Sequence, residues 1–296
     1  MSKLADNLTK IAYQAIQGGS HDTRHERSLH VQRFAQFLQD KNIQIRTVDQ
    51  IKSSHIEGYV SSQLSSGKSK RSLQNEMASL RAVLRTAGRE KMVESERLSN
   101  KSLGLAGASR AGTNRAMTSD EFQKTHADLT SAESRQEAAA LNLMFTLGLR
   151  SKEAVRAAES LKTWEKQISR DGKITVIYGT KGGRLRDVQI SDREKALFAV
   201  REALSTLDHK TGRLINGAGG TLESARNRLD NQLRGVLKEL NLSAHSARYA
   251  FAQSQVDHYL EEGFSKKDAL AQASADLGHG SDRYRYIGQV YDQRQK

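Results

Sequence analysis

The sequence contains no cysteine and no proline among its 296 residues. Without cysteine, the chain has no disulfide bond, no thiolate zinc site and no cysteine nucleophile. Without proline, we expect long helices free of proline kinks, and no slow prolyl isomerisation during folding. Any chemistry must therefore come from hydroxyl, imidazole, carboxylate, amino or guanidinium groups.

Acidic residues are scarce relative to basic ones, with 34 Asp and Glu against 47 Lys and Arg, which gives a formal net charge of +13. Such a surplus indicates a polyanionic partner, with nucleic acid as the first candidate and a membrane surface as the competing one. Long apolar runs are also missing, since the longest, residues 138–149, contains Asn142 and Thr146 and is too short to span a bilayer. No signal-peptide pattern opens the sequence. We expect a cytoplasmic, nucleoid-associated protein with no membrane partner.

The first part of the chain predicts a small bundle of helices. Apolar residues recur at spacings of three and four, as in Leu4, Leu8, Ile11 and Ala15, which places them on one helical face. The segment of residues 100–116 is rich in Gly, Ser and Ala and predicts a linker. We therefore place a helical domain at residues 1–112 and a second domain at residues 113–296.

Five cations lie in and just before one predicted helix of the first domain. They are Lys68, Lys70, Arg71, Arg81 and Arg85. Scattered cations on a helix usually form an ordinary solvated face, but here only Glu76 balances them. A surface that contacts phosphates is therefore about as strongly indicated as a solvated face.

The second domain predicts helices with one small hairpin. Thr118 with Glu121 forms a capping box, and residues 136–147 are an apolar helical run. Residues 173–179 and 185–190 contain β-branched side chains and are joined by a Gly-Gly turn, which is typical of a hairpin. Helical stretches follow at 191–207, 222–240, 245–260 and 266–277. The predicted fold class is mainly α, with an N-terminal helical bundle and a mostly helical α+β domain that carries a small antiparallel hairpin.

The most informative motif is the pair His245 and Arg248, which is followed by His279 in a Leu-Gly-His triplet and by a late tyrosine, Tyr291. A phenol can act as a nucleophile, a guanidinium can hold two phosphate oxygens, and an imidazole can move a proton near neutral pH. Residues three apart on a helix share one face, so His245 and Arg248 could contact the same phosphate. Together these groups favour cleavage of a phosphodiester without a metal, and hence DNA strand transfer.

The order of the motifs resembles a known family. The stretch TLGLRSKE at residues 146–153, the hairpin with Lys181, the His-x-x-Arg pair and the Leu-Gly-His triplet resemble the tyrosine recombinases, the family of phage integrases and Xer-type resolvases. Each motif alone is weak, whereas their joint order and spacing are specific. The resemblance spans the chain and implies a core-binding domain followed by a catalytic domain.

The resemblance also implies roles for single residues. The implied catalytic residues are Arg150, Lys181, His245, Arg248, His279 and Tyr291. Glu153 would support Arg150, and Lys181 would protonate the leaving 5′-oxygen. Arg184 and Arg186, next to Lys181, are expected to hold the DNA backbone, as are the five cations of the first domain. Tyr249 stands where the family usually has histidine.

The nucleophile stays open among three tyrosines. Most of the family carries it nine residues after the Leu-Gly-His histidine, but here that position is Gly288. The candidates are Tyr284, Tyr286 and Tyr291. We favour Tyr291 because Ile287 and Val290 precede it as apolar anchors, with Tyr286 as the main alternative.

The implied function is site-specific recombination through a covalent 3′-phosphotyrosyl intermediate, without a metal, a cofactor or ATP. The implied partner is double-stranded DNA that carries a specific site, bound by four protomers in the synaptic complex. The free protein would be a monomer, and accessory DNA-bending or directionality factors would assist it. Two alternatives remain: a type IB topoisomerase, which rejoins the same strand, and a DNA-binding relative that does not cleave.

Overall fold

The structure, a computed structural model, describes residues 2–15, 21–109 and 114–292. The chain divides into two compact units, Met1–Arg110 and Ala111–Lys296, and each has its own hydrophobic core. None of the helices in the described part of the chain combines the length and the apolar composition that a bilayer crossing requires.

The first unit is a bundle of helices, as predicted. Its helices are α1 (Lys3–Gln14), α2 (His21–Asp40), α3 (Ser53–Ser65), α4 (Lys70–Thr86) and α5 (Glu90–Val93). Serine side chains begin two of them, since Ser2 accepts from the Ala5 amide in α1 and Ser69 accepts from the Ser72 amide in α4. The repeated apolar spacing therefore becomes a shared core.

A buried carboxylate ties together three helices of this bundle. Glu76 of α4 is 1% exposed and accepts hydrogen bonds from Tyr59 of α3 at 2.8 Å, from Arg33 of α2 at 3.0 Å and from Lys68 at 2.6 Å. A buried charge needs such partners because desolvation alone would be costly. Glu76 therefore engages Lys68 inside the bundle.

The segment predicted as a linker packs in part against the first unit. Leu103 and Leu105 are buried in its core, and the Leu105 carbonyl accepts a hydrogen bond from Gln74 at 2.8 Å. The prediction of a linker starting at residue 100 is therefore wrong for these positions. Its Gly and Ser content concealed two apolar anchors, and residues 110–113 of the segment lie outside the described residues.

The second unit contains nine described helices and one two-stranded sheet. The helices are α6 (Ser119–Ser131), α7 (Arg135–Leu147), α8 (Ser151–Val155), α9 (Leu161–Asp171), α10 (Arg193–Ser205), α11 (Leu222–Leu237), α12 (Ala244–Glu261), α13 (Lys266–Asp276) and α14 (Tyr284–Val290). The Thr118–Glu121 capping box is present at the start of α6. Helix α7 packs against α6, α10 and α12, so the apolar run forms the centre of this unit.

The predicted hairpin is a short antiparallel pair of strands, β1 (Lys173–Val176) and β2 (Arg186–Gln189). Ile174 pairs with Val188, and Val176 pairs with Arg186. Helix α9, which the sequence did not predict, packs against β1, and its Trp164 donates an indole hydrogen bond to the Thr175 carbonyl at 2.9 Å. The mainly α fold with one small sheet is therefore confirmed.

Candidate active site

Arg150 follows the turn that ends α7. Gly148 caps α7 in the left-handed conformation, at φ +61°, and Arg150 then occupies the N-cap of α8. The Arg150 amide and guanidinium both donate to the Glu153 carboxylate, at 2.8 and 2.7 Å. Glu153 itself is 1% exposed. The short helix α8 therefore fixes Arg150 through one buried carboxylate.

Arg150 and Arg248 converge on the same backbone carbonyl. Arg150 donates to the Leu277 oxygen at 3.1 Å, and Arg248 of α12 donates to that oxygen and to the Gly148 oxygen. Arg248 is fully buried, and its Nη1 lies 4.0 Å from a Glu153 oxygen. The two arginines from distant parts of the sequence thus belong to one cluster.

Tyr291 lies between the two histidines that the motif singled out. Its hydroxyl oxygen is 3.3 Å from Nε2 of His245 and 3.4 Å from Nε2 of His279. Its ring packs on Tyr249, with 4.5 Å between ring centroids, and it is 2% exposed. Tyr249 therefore supports the ring of Tyr291.

The other two candidate tyrosines have different surroundings. The Tyr286 ring packs against His279 at 5.1 Å between centroids, and the Arg283 guanidinium lies over it at 4.9 Å. The Tyr284 hydroxyl accepts a hydrogen bond from Arg285 at 3.1 Å. Neither contact resembles the position of the Tyr291 hydroxyl between two imidazoles.

Burial and positive charge set the protonation of this cluster. Burial lowers the pKa of His245 to about 4, with further lowering by Arg248 and Arg150. Burial and the same two arginines lower the pKa of His279 to about 3. Burial, followed by Arg186 and Arg150, lowers the pKa of Arg248 to about 9. At neutral pH both imidazoles are therefore uncharged and Arg248 keeps its charge.

A cationic groove of about 560 Å³ adjoins the cluster. Arg150 and His279 line one part of it, and Lys181 and Arg184 line another from the loop between the two strands. Both loop residues are exposed. Arg283 also lines the groove and was not predicted from the sequence; its place four residues after the Leu-Gly-His histidine was the available signal.

Arg186 contradicts its predicted role in holding the DNA backbone. It is 6% exposed and donates to Glu153 at 2.6 Å and to the carbonyls of Gly148 and Asp276. The reason is strand geometry: successive side chains of a strand face opposite sides, so Arg186 shares the buried face of Val188. It therefore lies beneath the arginine pair and does not face solvent.

The five cations of the first unit fall into two groups. Lys68 binds the buried Glu76, and Arg81 donates to the Leu98 carbonyl and the Asn100 side chain at 2.6 and 2.9 Å. Those two are engaged in contacts within the unit, so they are weaker candidates for DNA contacts than the other three. The remaining three are exposed, and they are Lys70, Arg71 and Arg85.

The cluster has the chemistry for attack on a phosphodiester. Two guanidinium groups can donate to phosphate oxygens in a plane, and a hydroxyl lies within reach of two neutral imidazoles that can accept its proton. Among the described residues, no group of three or more His, Asp or Glu side chains is placed to hold a metal ion.

Two protein-family models match the chain. The model described as integrase matches residues 104–254, which is just over half of the chain, and the model described as phage integrase, N-terminal, matches residues 1–93. A comparison with curated proteins finds no match.

Solved structures of low sequence identity share the fold. The Tn1549 transposon integrase in complex with transposon right end DNA is 13% identical, with a TM-score of 0.64 over 97% of this chain and 94% of that chain. A lambda integrase tetramer bound to a Holliday junction is 17% identical, with a TM-score of 0.60 over 94% and 75%. The XerH site-specific recombinase bound to palindromic difH substrate is 17% identical, with a TM-score of 0.56 over 98% and 82%.

Proposed function

The chain belongs to the phage integrase family of tyrosine recombinases and is a site-specific recombinase, and on that basis we propose that it cuts and rejoins DNA through a covalent 3′-phosphotyrosyl intermediate. Tyr291 is the proposed nucleophile. The observation that carries the proposal is the position of its hydroxyl, 3.3 and 3.4 Å from two imidazole nitrogens, in the same cluster as Arg150 and Arg248. This geometry favours Tyr291 over Tyr286.

Cleavage exchanges one phosphate ester for another. The Tyr291 oxygen attacks phosphorus, the bond from phosphorus to the 5′-oxygen breaks, and a 3′-phosphotyrosyl ester forms. The phenolic proton passes to Nε2 of His245, and Lys181 from the exposed loop donates a proton to the leaving 5′-oxygen. Because the number of phosphate esters is unchanged, the broken strand can be rejoined without ATP, and no step requires a metal or a cofactor.

Positive charge makes the attack favourable. Negative charge grows on the phosphate oxygens during attack, where Arg150, Arg248 and His279 act as donors held in place beforehand. The entering phosphate also offsets the arginine charges that depress the pKa of His245, so His245 becomes a better base when DNA is bound. Substrate binding and proton transfer are therefore coupled.

The DNA partner and the assembly follow from the same proposal. Two duplexes with two strands each present four scissile phosphates, so four protomers act together on a specific recombination site, while the free protein is a monomer. The exposed Lys70, Arg71 and Arg85 of the first unit contact the backbone, as do Arg184 and Arg283 in the groove. Accessory DNA-bending or directionality factors assist the reaction in this proposal. The protein is cytoplasmic and nucleoid-associated.

The test is covalent trapping. Genomic fragments that bind the Tyr291→Phe protein supply the recombination site, and a duplex nicked beside the scissile phosphate in that site serves as a suicide substrate. The wild-type protein should form an adduct that survives denaturing electrophoresis, and Tyr291→Phe should form none while retaining DNA binding. Tyr286→Phe is the matched control and should still form the adduct.

The same substrates separate the alternatives. DNA binding without an adduct from the wild type would select a relative that does not cleave. Relaxation of a supercoiled plasmid without exchange between two sites would select a type IB topoisomerase. An adduct that persists in Tyr291→Phe and is absent in Tyr286→Phe would contradict the assignment of the nucleophile.

A further inference from the structure

Arg186 is 6% exposed and contacts the groups that hold Arg150 and Arg248 in place. Its guanidinium donates to Glu153 at 2.6 Å, to the Gly148 carbonyl at 3.3 Å and to the Asp276 carbonyl. Gly148 supplies an acceptor to Arg248 as well, and Asp276 precedes Leu277, whose carbonyl accepts from both Arg150 and Arg248. Arg186 thus holds the backbone on which the arginine pair rests.

The contacts of Glu153 are divided unequally among three arginines. One carboxylate oxygen accepts from Arg150 at 2.7 Å and the other from Arg186 at 2.6 Å, whereas Arg248 stays at 4.0 Å. All three guanidinium groups therefore share a single negative charge. The cation that contacts the second oxygen most closely is the buried Arg186, so Arg248 is not drawn into a close ion pair.

We propose that Arg186 is a positioning residue that neutralises Glu153 and so keeps the charges of Arg150 and Arg248 available to the DNA phosphate. This inference rests on the proposed function of the cluster as a phosphate site. Counting only Glu153 and the three guanidinium groups around it, the net charge is plus two with Arg186 present. Without Arg186, Glu153 offsets half of the charge that Arg150 and Arg248 offer to a phosphate.

The surrounding structure is shaped to hold this side chain. A Cβ atom at Gly278 would lie 2.7 Å from Cδ of Arg186, so the glycine of the Leu-Gly-His triplet leaves the space that Arg186 fills. Burial raises the pKa of the Glu153 carboxyl, but Arg186, Arg248 and Arg150 outweigh that effect and lower it. Glu153 is therefore ionised, and its charge requires a partner.

The experiment measures binding of inorganic phosphate to the full chain by isothermal titration calorimetry. Arg186→Met should weaken phosphate binding by about tenfold or more, because it removes one charge within a few ångströms of the site in a medium of low dielectric. Arg186→Lys, which keeps the charge, should stay within about threefold of the wild type. The double variant Arg186→Met with Glu153→Gln restores the net charge of two and should recover most of the phosphate affinity.

Glu153→Gln also relieves a buried carboxylate that has lost its partner, so the unfolding temperature of each variant is measured alongside. Phosphate affinity that recovers in the double variant without a matching recovery of the unfolding temperature distinguishes the proposal from a structural role. Arg228→Met is the matched control for stability, since Arg228 also pairs with a buried carboxylate, Glu137, at 2.9 Å but lies outside the cluster. It should lower the unfolding temperature and leave phosphate affinity unchanged. If Arg186→Met does not fold, Arg186→Gln, which also removes the charge, takes its place with the same expected loss of phosphate affinity.

Equal phosphate affinity in Arg186→Met and the wild type would overturn the inference. A double variant that binds phosphate as weakly as Arg186→Met would overturn it as well. A wild-type protein that binds no phosphate at millimolar concentration would also overturn it. Failure of the proposed function is a separate result: a wild type that binds phosphate but forms no adduct with the nicked duplex would refute cleavage and leave the role of Arg186 intact.

Discussion

Two histidines that flank Tyr291 are held neutral by their surroundings. Burial, with help from Arg248 and Arg150, lowers the pKa of His245 to about 4 and that of His279 to about 3. A neutral imidazole can accept the phenolic proton, whereas a protonated one cannot. In the proposed mechanism, both imidazoles are therefore already in the form that can accept a proton before DNA enters.

This protonation state has a consequence for stability. The folded pKa of His279 lies below the ordinary value of 6.5, so as pH falls the unfolded chain takes up the proton first. The contribution of neutral His279 to the free energy of unfolding is fully present above about pH 6.5 and is lost as pH falls toward its folded pKa. We therefore expect His279→Gln to reduce the fall in unfolding temperature between pH 6.5 and pH 4, measured by calorimetry.

A matched control is available for this measurement. His209 is exposed in a turn outside the cluster, and His209→Gln should follow the pH dependence of the wild type. Parallel curves for the wild type and His279→Gln across this pH range would show that burial does not hold His279 neutral.

The sequence could identify most residues of this cluster, because each belongs to a short motif next to a helix end or turn. Arg150 follows Gly148, His245 and Arg248 share the first turns of α12, and His279 follows α13. Arg186 was misassigned because a cation near a turn is usually exposed. Its separation of two residues from Val188, within the strand predicted at residues 185–190, was the signal that it faces the core.

In helix α4, the spacing of apolar residues predicts the buried face but not the contacts that the cations make. Its apolar stripe gives the buried face, including Leu73 and Met77, as expected from the spacing. The stripe cannot show which cations are bound by distant partners, since Arg81 reaches Leu98 and Asn100 through the fold. Helix α9 was not predicted because only Leu161, Trp164 and Ile168 face the core in an otherwise polar segment.

The exposed cations of α4 give a prediction about DNA binding. Lys70→Ala, Arg71→Ala and Arg85→Ala should each flatten the slope of log K against log salt, by about 0.9 for every phosphate that the variant no longer neutralises, because fewer counterions are released on binding. The measurement is fluorescence anisotropy of a labelled duplex at several salt concentrations. A triple variant with the slope of the wild type would show that these residues form an ordinary solvated face and do not contact phosphates.

Among the five cations of the first unit, Lys68→Met is expected to affect stability and not DNA binding. Removal of the Lys68 ammonium leaves the buried Glu76 without its 2.6 Å partner, which should lower the free energy of unfolding by about 1–3 kcal/mol. The salt slope of DNA binding should stay unchanged. A flattened slope in Lys68→Met, with unaltered stability, would contradict the division of the five cations.

At the scale of the whole molecule, charge and assembly act together. A net charge of +13 opposes self-association of the free protein and favours association on DNA. Each chain brings its own Tyr291 to its own Arg150 and Arg248, so each protomer carries one complete cluster. In the proposed function, four scissile phosphates are therefore served by four protomers.

We expect a monomer of 32.9 kDa in free solution and four protein copies on a Holliday junction that carries the selected recombination site. Sedimentation velocity at moderate salt measures both states. Junctions without the site serve as the control and should bind protein without a defined fourfold species. A stable tetramer in the absence of DNA would contradict this expectation.

The central claim is that Tyr291, held between His245 and His279, forms the bond to DNA. The most direct measurement digests the trapped adduct with nuclease and trypsin and locates the remaining nucleotide by mass spectrometry. The tryptic peptide of residues 286–294 contains both Tyr286 and Tyr291, and its fragment ions distinguish them. The account predicts the added mass on Tyr291, and added mass on Tyr286 or on any residue outside the peptide would contradict it.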